Sequence, residues 1–205
     1  MPEIIGITGG IGSGKSRVCS YLAELSGWPL LDADQICRKL LLPQAAGWAA
    51  LRTLLPANFF TAAGELNRPK LREAIFADSA LRQQIDNILH PLAKKEMLTQ
   101  AAQQTAPLVL AEIPLLFEAG WQDSVSLTVL VYATEAVRLR RIMERDQVTE
   151  EQARQAAAAQ MPLEEKKRLA DYLVDNSGYW QKTCGQLRQL AAILAQGQIF
   201  FRKTS

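Results

Sequence analysis

Five short apolar runs, each bounded by turn-forming residues, are spaced along the chain at Glu3–Gly9, Trp28–Asp32, Pro107–Ile113, Ser126–Tyr132 and Tyr172–Asp175. Continuous runs of this length mark strands buried on both faces, as in a parallel sheet. Between them, apolar residues recur every three or four positions, predicting helices over Lys15–Ser26, Gln35–Leu42, Pro69–Ala77, Glu135–Asp146 and Tyr179–Ala195. A further helical stretch covers Ser79–Gln104 and is expected to break at His90-Pro91. Residues 43–106 carry no convincing buried strand, so the second and third strands are separated by a block of helices. Gly27 stops the first helix, Asn67 with Pro69 opens another, and Thr149-Glu-Glu-Gln152 has the form of a capping box. The last residues, Ile199–Ser205, are expected to form a loosely held end.

Composition narrows the picture. A chain of 205 residues, 48% of them hydrophobic, buries one sizeable core and still has room for an inserted lobe. The formal net charge of +2 excludes the footprint of a nucleic-acid binder, so no nucleic acid is expected as partner. Cys19, Cys37 and Cys184 are scattered without metal-ligand spacing, which points to a reducing compartment. With no run near the ~20 apolar residues of a membrane span and no leader before the first strand, a cytoplasmic protein without a membrane partner is expected.

The chemistry concentrates at the first strand–helix junction. Gly9, Gly14, Lys15 and Ser16 fill the pattern G-x-x-x-x-G-K-[ST], preceded by an apolar strand and followed by a helix, the context this motif requires. Glycines at 9, 10, 12 and 14 allow backbone N–H groups to converge on one site, and the helix N-terminus adds its unpaired donors. Gly10, Ile11, Gly12, Ser13, Gly14, Lys15, Ser16 and Arg17 are therefore read as the nucleotide cradle. Lys15 reaches the β/γ-phosphates of ATP and Ser16 is the candidate Mg²⁺ ligand. An ordinary glycine-rich turn with a solvated lysine is the plain alternative.

Asp32 and Asp34 follow the second strand, where open α/β sheets receive their ligands. One can cap the next helix while the other takes a chemical role; Asp34 is the candidate proton acceptor. The helical block that follows suits the binding of a small acceptor. Within it Arg72 is a candidate for an acceptor phosphate, or else a solvated charge, and His90 either touches substrate or bonds backbone beside Pro91. Glu112 is a candidate distant Mg²⁺ carboxylate and Glu118 a candidate crevice residue, or both pair locally. Arg138, Arg141 and Arg145, at i, i+3 and i+7, share one helical face able to close over a triphosphate, and the next helix completes a hairpin suited to a mobile lid. Asn176, after the last strand, is placed to border an adenine or simply to form a turn.

In order along the chain, Thr8–Ser16, Asp32–Asp34, Leu71–Phe76, His90–Leu92, Pro114–Glu118, Arg141–Asp146 and Asp175–Gly178 resemble the motif set of the dephospho-coenzyme A kinase family. The resemblance spans nearly the whole chain. It implies an α/β fold with a three-layer P-loop kinase core around a parallel sheet, formed by 1–33, 104–136 and 170–205, with an inserted helical acceptor-binding domain at 34–103 and a helical lid at 137–169. It also implies transfer of the ATP γ-phosphoryl group to the ribose 3′-hydroxyl of dephospho-CoA, by a monomer or weak homo-oligomer using Mg²⁺. Asp34, Lys15 and Arg141 are then the catalytic residues, with Arg145 and Asn176 on the nucleotide and Asp34, Arg72, His90 and Glu118 on the acceptor. Arg17 stands where the family usually has threonine, and Leu42-Pro43-Gln44 where it usually has Glu-Pro-Gly. Two other readings fit the P-loop alone: another small-molecule kinase of nucleoside type, and a non-catalytic nucleotide switch. Against the second, no D-x-x-G and N-K-x-D pair follows the P-loop as a GTPase requires, and Asp175-Asn-Ser-Gly178 does not supply one.

Overall fold

The computed structural model describes residues 1–197 and divides them into two compact units, 1–31 with 101–197 and 32–100. The tail after Gly197 lies outside the described residues, and with it the expectation for Ile199–Ser205.

The first unit is built on a five-stranded sheet in the order β2-β3-β1-β4-β5. Its strands are β1 (Glu3–Gly9), β2 (Leu30–Asp32), β3 (Leu108–Glu112), β4 (Leu127–Tyr132) and β5 (Tyr172–Asp175). β1 lies parallel to both β3 and β4, and β4 parallel to β5. Every residue of β3 is buried, and six of the seven in β1, which is why these segments read as unbroken apolar runs. Helices α1 (Lys15–Ser26) and α9 (Trp180–Ala195) pack together on the sheet, Val18, Cys19 and Leu22 meeting Leu187, Leu190 and Leu194 in one core with Ile5, Ile7, Val129 and Val131. That core fixes where β1 ends and α1 begins. Gly27 closes α1 in the left-handed conformation, its N–H donating to Ala23 O.

Three helices lie between β4 and β5: α6 (Glu135–Asp146), α7 (Glu150–Ala158) and α8 (Leu163–Leu169). Leu139 and Ile142 of α6 pack on Ala153 of α7, with Ile11 against them. The capping box at Thr149 is formed in both directions with Gln152.

The second unit is helical: α2 (Ala33–Leu40), α3 (Ala46–Leu54), α4 (Arg68–Ala77) and most of α5 (Ser79–Ala102). Leu51, Leu55, Leu66, Leu71 and Ile85 form its core. Asn67 caps α4 by accepting from Lys70 N–H. α5 corrects the sequence reading, because it runs through His90-Pro91 without a break. Pro91 removes one backbone donor, yet Ile85, Ala93, Met97 and Ala101 are buried along the helix, and burial on both sides of the proline outweighs one lost hydrogen bond. Gln44 takes a left-handed φ of 70°, the conformation glycine adopts most readily, at the position where the resemblance implies a glycine.

Candidate active site

The loop between β1 and α1 is a cradle of amides. Gly12 and Gly14 sit at φ 79° and 82°, and Ser13 N–H donates to Gly10 O at 3.0 Å. Gly14 is required twice over: its backbone is left-handed, and a Cβ there would run into the Asn176 amide. Gly14 caps α1 without any side chain, which leaves the first-turn N–H groups for an anion.

Lys15 and Ser16 occupy the first turn of α1. Both donate to the same buried carboxylate oxygen, Glu112 Oε1 at the end of β3, Ser16 Oγ at 2.6 Å and Lys15 Nζ through a short ion pair. The sequence reading treated Glu112 as distant; pairing of β1 with β3 sets Ile7 against Glu112 and brings the carboxylate to the foot of the cradle. A hydroxyl and a carboxylate, both hard oxygen donors, fit Mg²⁺, which takes one or two protein oxygens and completes its shell with water and phosphate.

The arginines of α6 divide. Arg141 donates to Gly12 O (3.4 Å), Ser13 O (3.3 Å) and Asn176 O (2.9 Å), so its guanidinium lies on the cradle. Burial, together with Arg140 and Arg17, lowers its proton affinity below the ordinary arginine range, and it still carries its charge at any physiological pH. Arg138 lies against Gly10 and Gly12 with its Nε buried and unpartnered, and burial likewise pulls it down. Arg145 points elsewhere: it forms a bidentate pair with its neighbour Asp146, at 2.7 Å for both contacts, and is 61% exposed. Arg17 is exposed, its guanidinium 3.9 Å from the Trp180 ring centroid, and Trp180 meets Tyr21 edge-on.

Asn176 is a buttress. It is 4% exposed; its Nδ2 donates to Ser13 O at 2.8 Å and its Oδ1 accepts from Thr183 Oγ1 at 3.0 Å. The side chain expected to border a base is thus committed to the cradle's underside. Glu118 is likewise committed, its Oε1 accepting from Lys166 Nζ at 2.7 Å and Met161 N–H at 3.1 Å, where the sequence reading had it on the acceptor.

In the second unit Asp32 is the cap, accepting from Asp34 N–H at 2.8 Å and Gln35 N–H at 3.2 Å. Of the two candidate caps the structure therefore uses Asp32, and Asp34 is an exposed carboxylate in the first turn of α2. Burial and the carboxylates of Asp34, Asp32 and Asp86 push the Cys37 thiol up to about 11. His90 Nε2 lies 3.7 Å from Asp86 Oδ1, one turn back along α5, so it contacts a side chain where a backbone partner was expected. Arg72 is exposed on α4. Gln160, Thr183 and Lys166 escaped the sequence reading. Their one sequence signal is faint: Lys166 lies three residues after Leu163, on the buried side of α8.

A glycine-lined anion cradle backed by a lysine, a hydroxyl and a buried carboxylate, on the central strand of a parallel sheet, defines a P-loop phosphotransferase. Residues 3–182 match the family model described as dephospho-CoA kinase (CoaE). The dephospho-CoA kinase of Shouchella clausii is 41% identical over 186 residues, 89% of this chain and 94% of that protein. The crystal structure of TT1252 from Thermus thermophilus superposes with a TM-score of 0.78 at 34% identity, covering 95% of this chain and 97% of that one. A dephospho-CoA kinase from Campylobacter jejuni shares the fold, with a TM-score of 0.72 at 23% identity and coverage of 97% and 100%. The chain belongs to the dephospho-CoA kinase family.

Proposed function

We propose that the cradle 9–16 and Asp34 carry the family's reaction in this chain: the 3′-hydroxyl oxygen of dephospho-CoA bonds to the γ-phosphorus of ATP, the bond to the β–γ bridging oxygen breaks, and CoA and ADP leave. The observation that carries the reading is the convergence of Lys15 and Ser16 on Glu112 at the end of β3. Amide donors of residues 10–16 hold the phosphates, and Lys15 leaves Glu112 to balance charge on the transferring group. Arg141 supplies a second cation from the 137–169 lid, with Arg145 released from Asp146 when the lid closes. Ser16 and Glu112 would hold Mg²⁺, which would offset phosphate charge.

Asp34 accepts the hydrogen bond of the attacking hydroxyl and takes its proton as the new P–O bond forms. Arg72 and His90, in the 34–103 acceptor domain, contact the acceptor. Arg17 contributes its backbone N–H, and Asn176 shapes the cradle from beneath. Glu118 acts at one remove from the substrate. The enzyme works in the cytoplasm as a monomer or weak homo-oligomer.

The test is an acceptor assay with labelled ATP, offering dephospho-CoA, adenosine and shikimate in turn. Label is expected only in dephospho-CoA, at the 3′-position. Label in a nucleoside and none in dephospho-CoA would overturn the reading.

A further inference from the structure

Lys166 is the largest fully buried side chain in the described residues, and it carries a charge. An ammonium at 0% exposure persists only where paired and hydrogen-bonded. Its partners are Glu118 Oε1 at 2.7 Å and Pro114 O at 3.2 Å, the latter 52 positions away in sequence. The same Pro114 carbonyl accepts from Thr8 Oγ1 at 3.1 Å, at the end of β1. Glu118 Oε1 also accepts from Met161 N–H at 3.1 Å. Next to Met161, Gln160 Oε1 accepts from Ile11 N–H at 2.9 Å, inside the cradle. Leu163 is buried beside Gly10, where a Cβ would meet its Cδ1 at 3.4 Å. One short segment, 160–166, therefore touches the cradle at Ile11 and Gly10 and is fastened at its far end to the 114–118 segment that follows Glu112.

We infer that Lys166 is a positioning residue for the nucleotide: through Glu118 and the Pro114 carbonyl it anchors segment 160–166, which sets the peptide at Ile11 and packs against Gly10. This rests on the reading of 9–16 as the ATP cradle. The segment also follows the α6–α7 hairpin directly along the chain. A purely structural salt bridge would be a poor use of a buried ammonium, since a well-packed apolar pair of similar volume is commonly as stable. What the ion pair adds is a defined position for Met161 and, one residue earlier, for Gln160.

The test compares Lys166→Met, Glu118→Ala and the double variant with wild type, in the full-length chain. ATP binding is measured by calorimetric titration without acceptor, and KM for ATP and for dephospho-CoA by steady-state kinetics. Each single variant is expected to weaken ATP binding and raise KM for ATP about tenfold, with KM for dephospho-CoA held within about twofold. The double variant is expected to lose no more than either single, because the two residues act as one unit. Amide exchange at Ile11 should quicken in all three. ATP affinity unchanged in both single variants, whatever the loss in Tm, overturns the inference, as does a double variant whose loss is the product of the singles. Should Lys166→Met fail to fold, Glu118→Ala, at a side chain 21% exposed, decides by the same criteria. Wild-type chain that binds no ATP would instead overturn the cradle reading itself.

Discussion

Lys15 donates to Glu112, with side chains only 11% and 9% exposed, so its charge acts largely out of water, where electrostatic terms count most. Lys15→Ala is expected to lower kcat by two to three orders of magnitude, about 3–4 kcal/mol of transition-state stabilisation, measured by coupled ADP release. Cys37 gives a prediction of a different kind. Its thiol is raised from 9.0 to about 11 by burial first and by Asp34, Asp32 and Asp86 after it. The folded chain thus holds this proton more tightly than the unfolded chain. The resulting stability is fully present below about pH 9 and is lost as pH rises through about 11. Urea unfolding of wild type and Cys37→Ala across that window should show the wild type losing more stability. Parallel curves would show that the thiol is not perturbed.

Between elements, the contacts that matter most join residues far apart in sequence. Asn176 follows β5 and supports the Ser13 carbonyl 163 positions away. Asn176→Ala leaves Ser13 O without that donor and Thr183 Oγ1 without that acceptor, at a cost of about 1–3 kcal/mol for buried polar groups. Both a lower urea midpoint and weaker ATP binding are expected. Arg141 joins α6 to the loop before α1 and the turn after β5 through three carbonyls. Removing a cation that gathers on transferring phosphate costs about a thousandfold in kcat, and Arg141→Ala should show a loss of that order with weaker ATP binding. Normal kcat with normal ATP affinity would reduce Arg141 to a backbone brace.

For the whole chain, the two units predict separable kinetics. The glycine-lined cradle belongs to the first unit, and Asp34, Arg72 and His90 to the second. Asp34→Asn is expected to lower kcat about 10²–10⁴-fold, the usual weight of a proton acceptor, with ATP affinity within about twofold of wild type. An unchanged kcat would remove Asp34 from the mechanism. The order of strands and helices was readable because apolar periodicity and cap chemistry are local: the glycine at 27, the capping box at Thr149 and Asn67 before Pro69 each act within a turn or two. Proline's effect at 91 was misjudged by the same local logic, since burial along α5 outweighs what one missing donor takes away.

The amino-acid order alone determined the glycine-lined turn before α1, because converging amides and a helix start need only adjacent residues, and it determined the alternation of buried strands with helices. Which acidic group meets Lys15, which arginine of α6 reaches the loop, and why Asn176, Glu118 and Lys166 turn inward were decided by strand pairing and helix packing. Those choices depend on distances between segments roughly 50 to 160 positions apart, where no periodicity or spacing carries information and only close packing in three dimensions selects one partner.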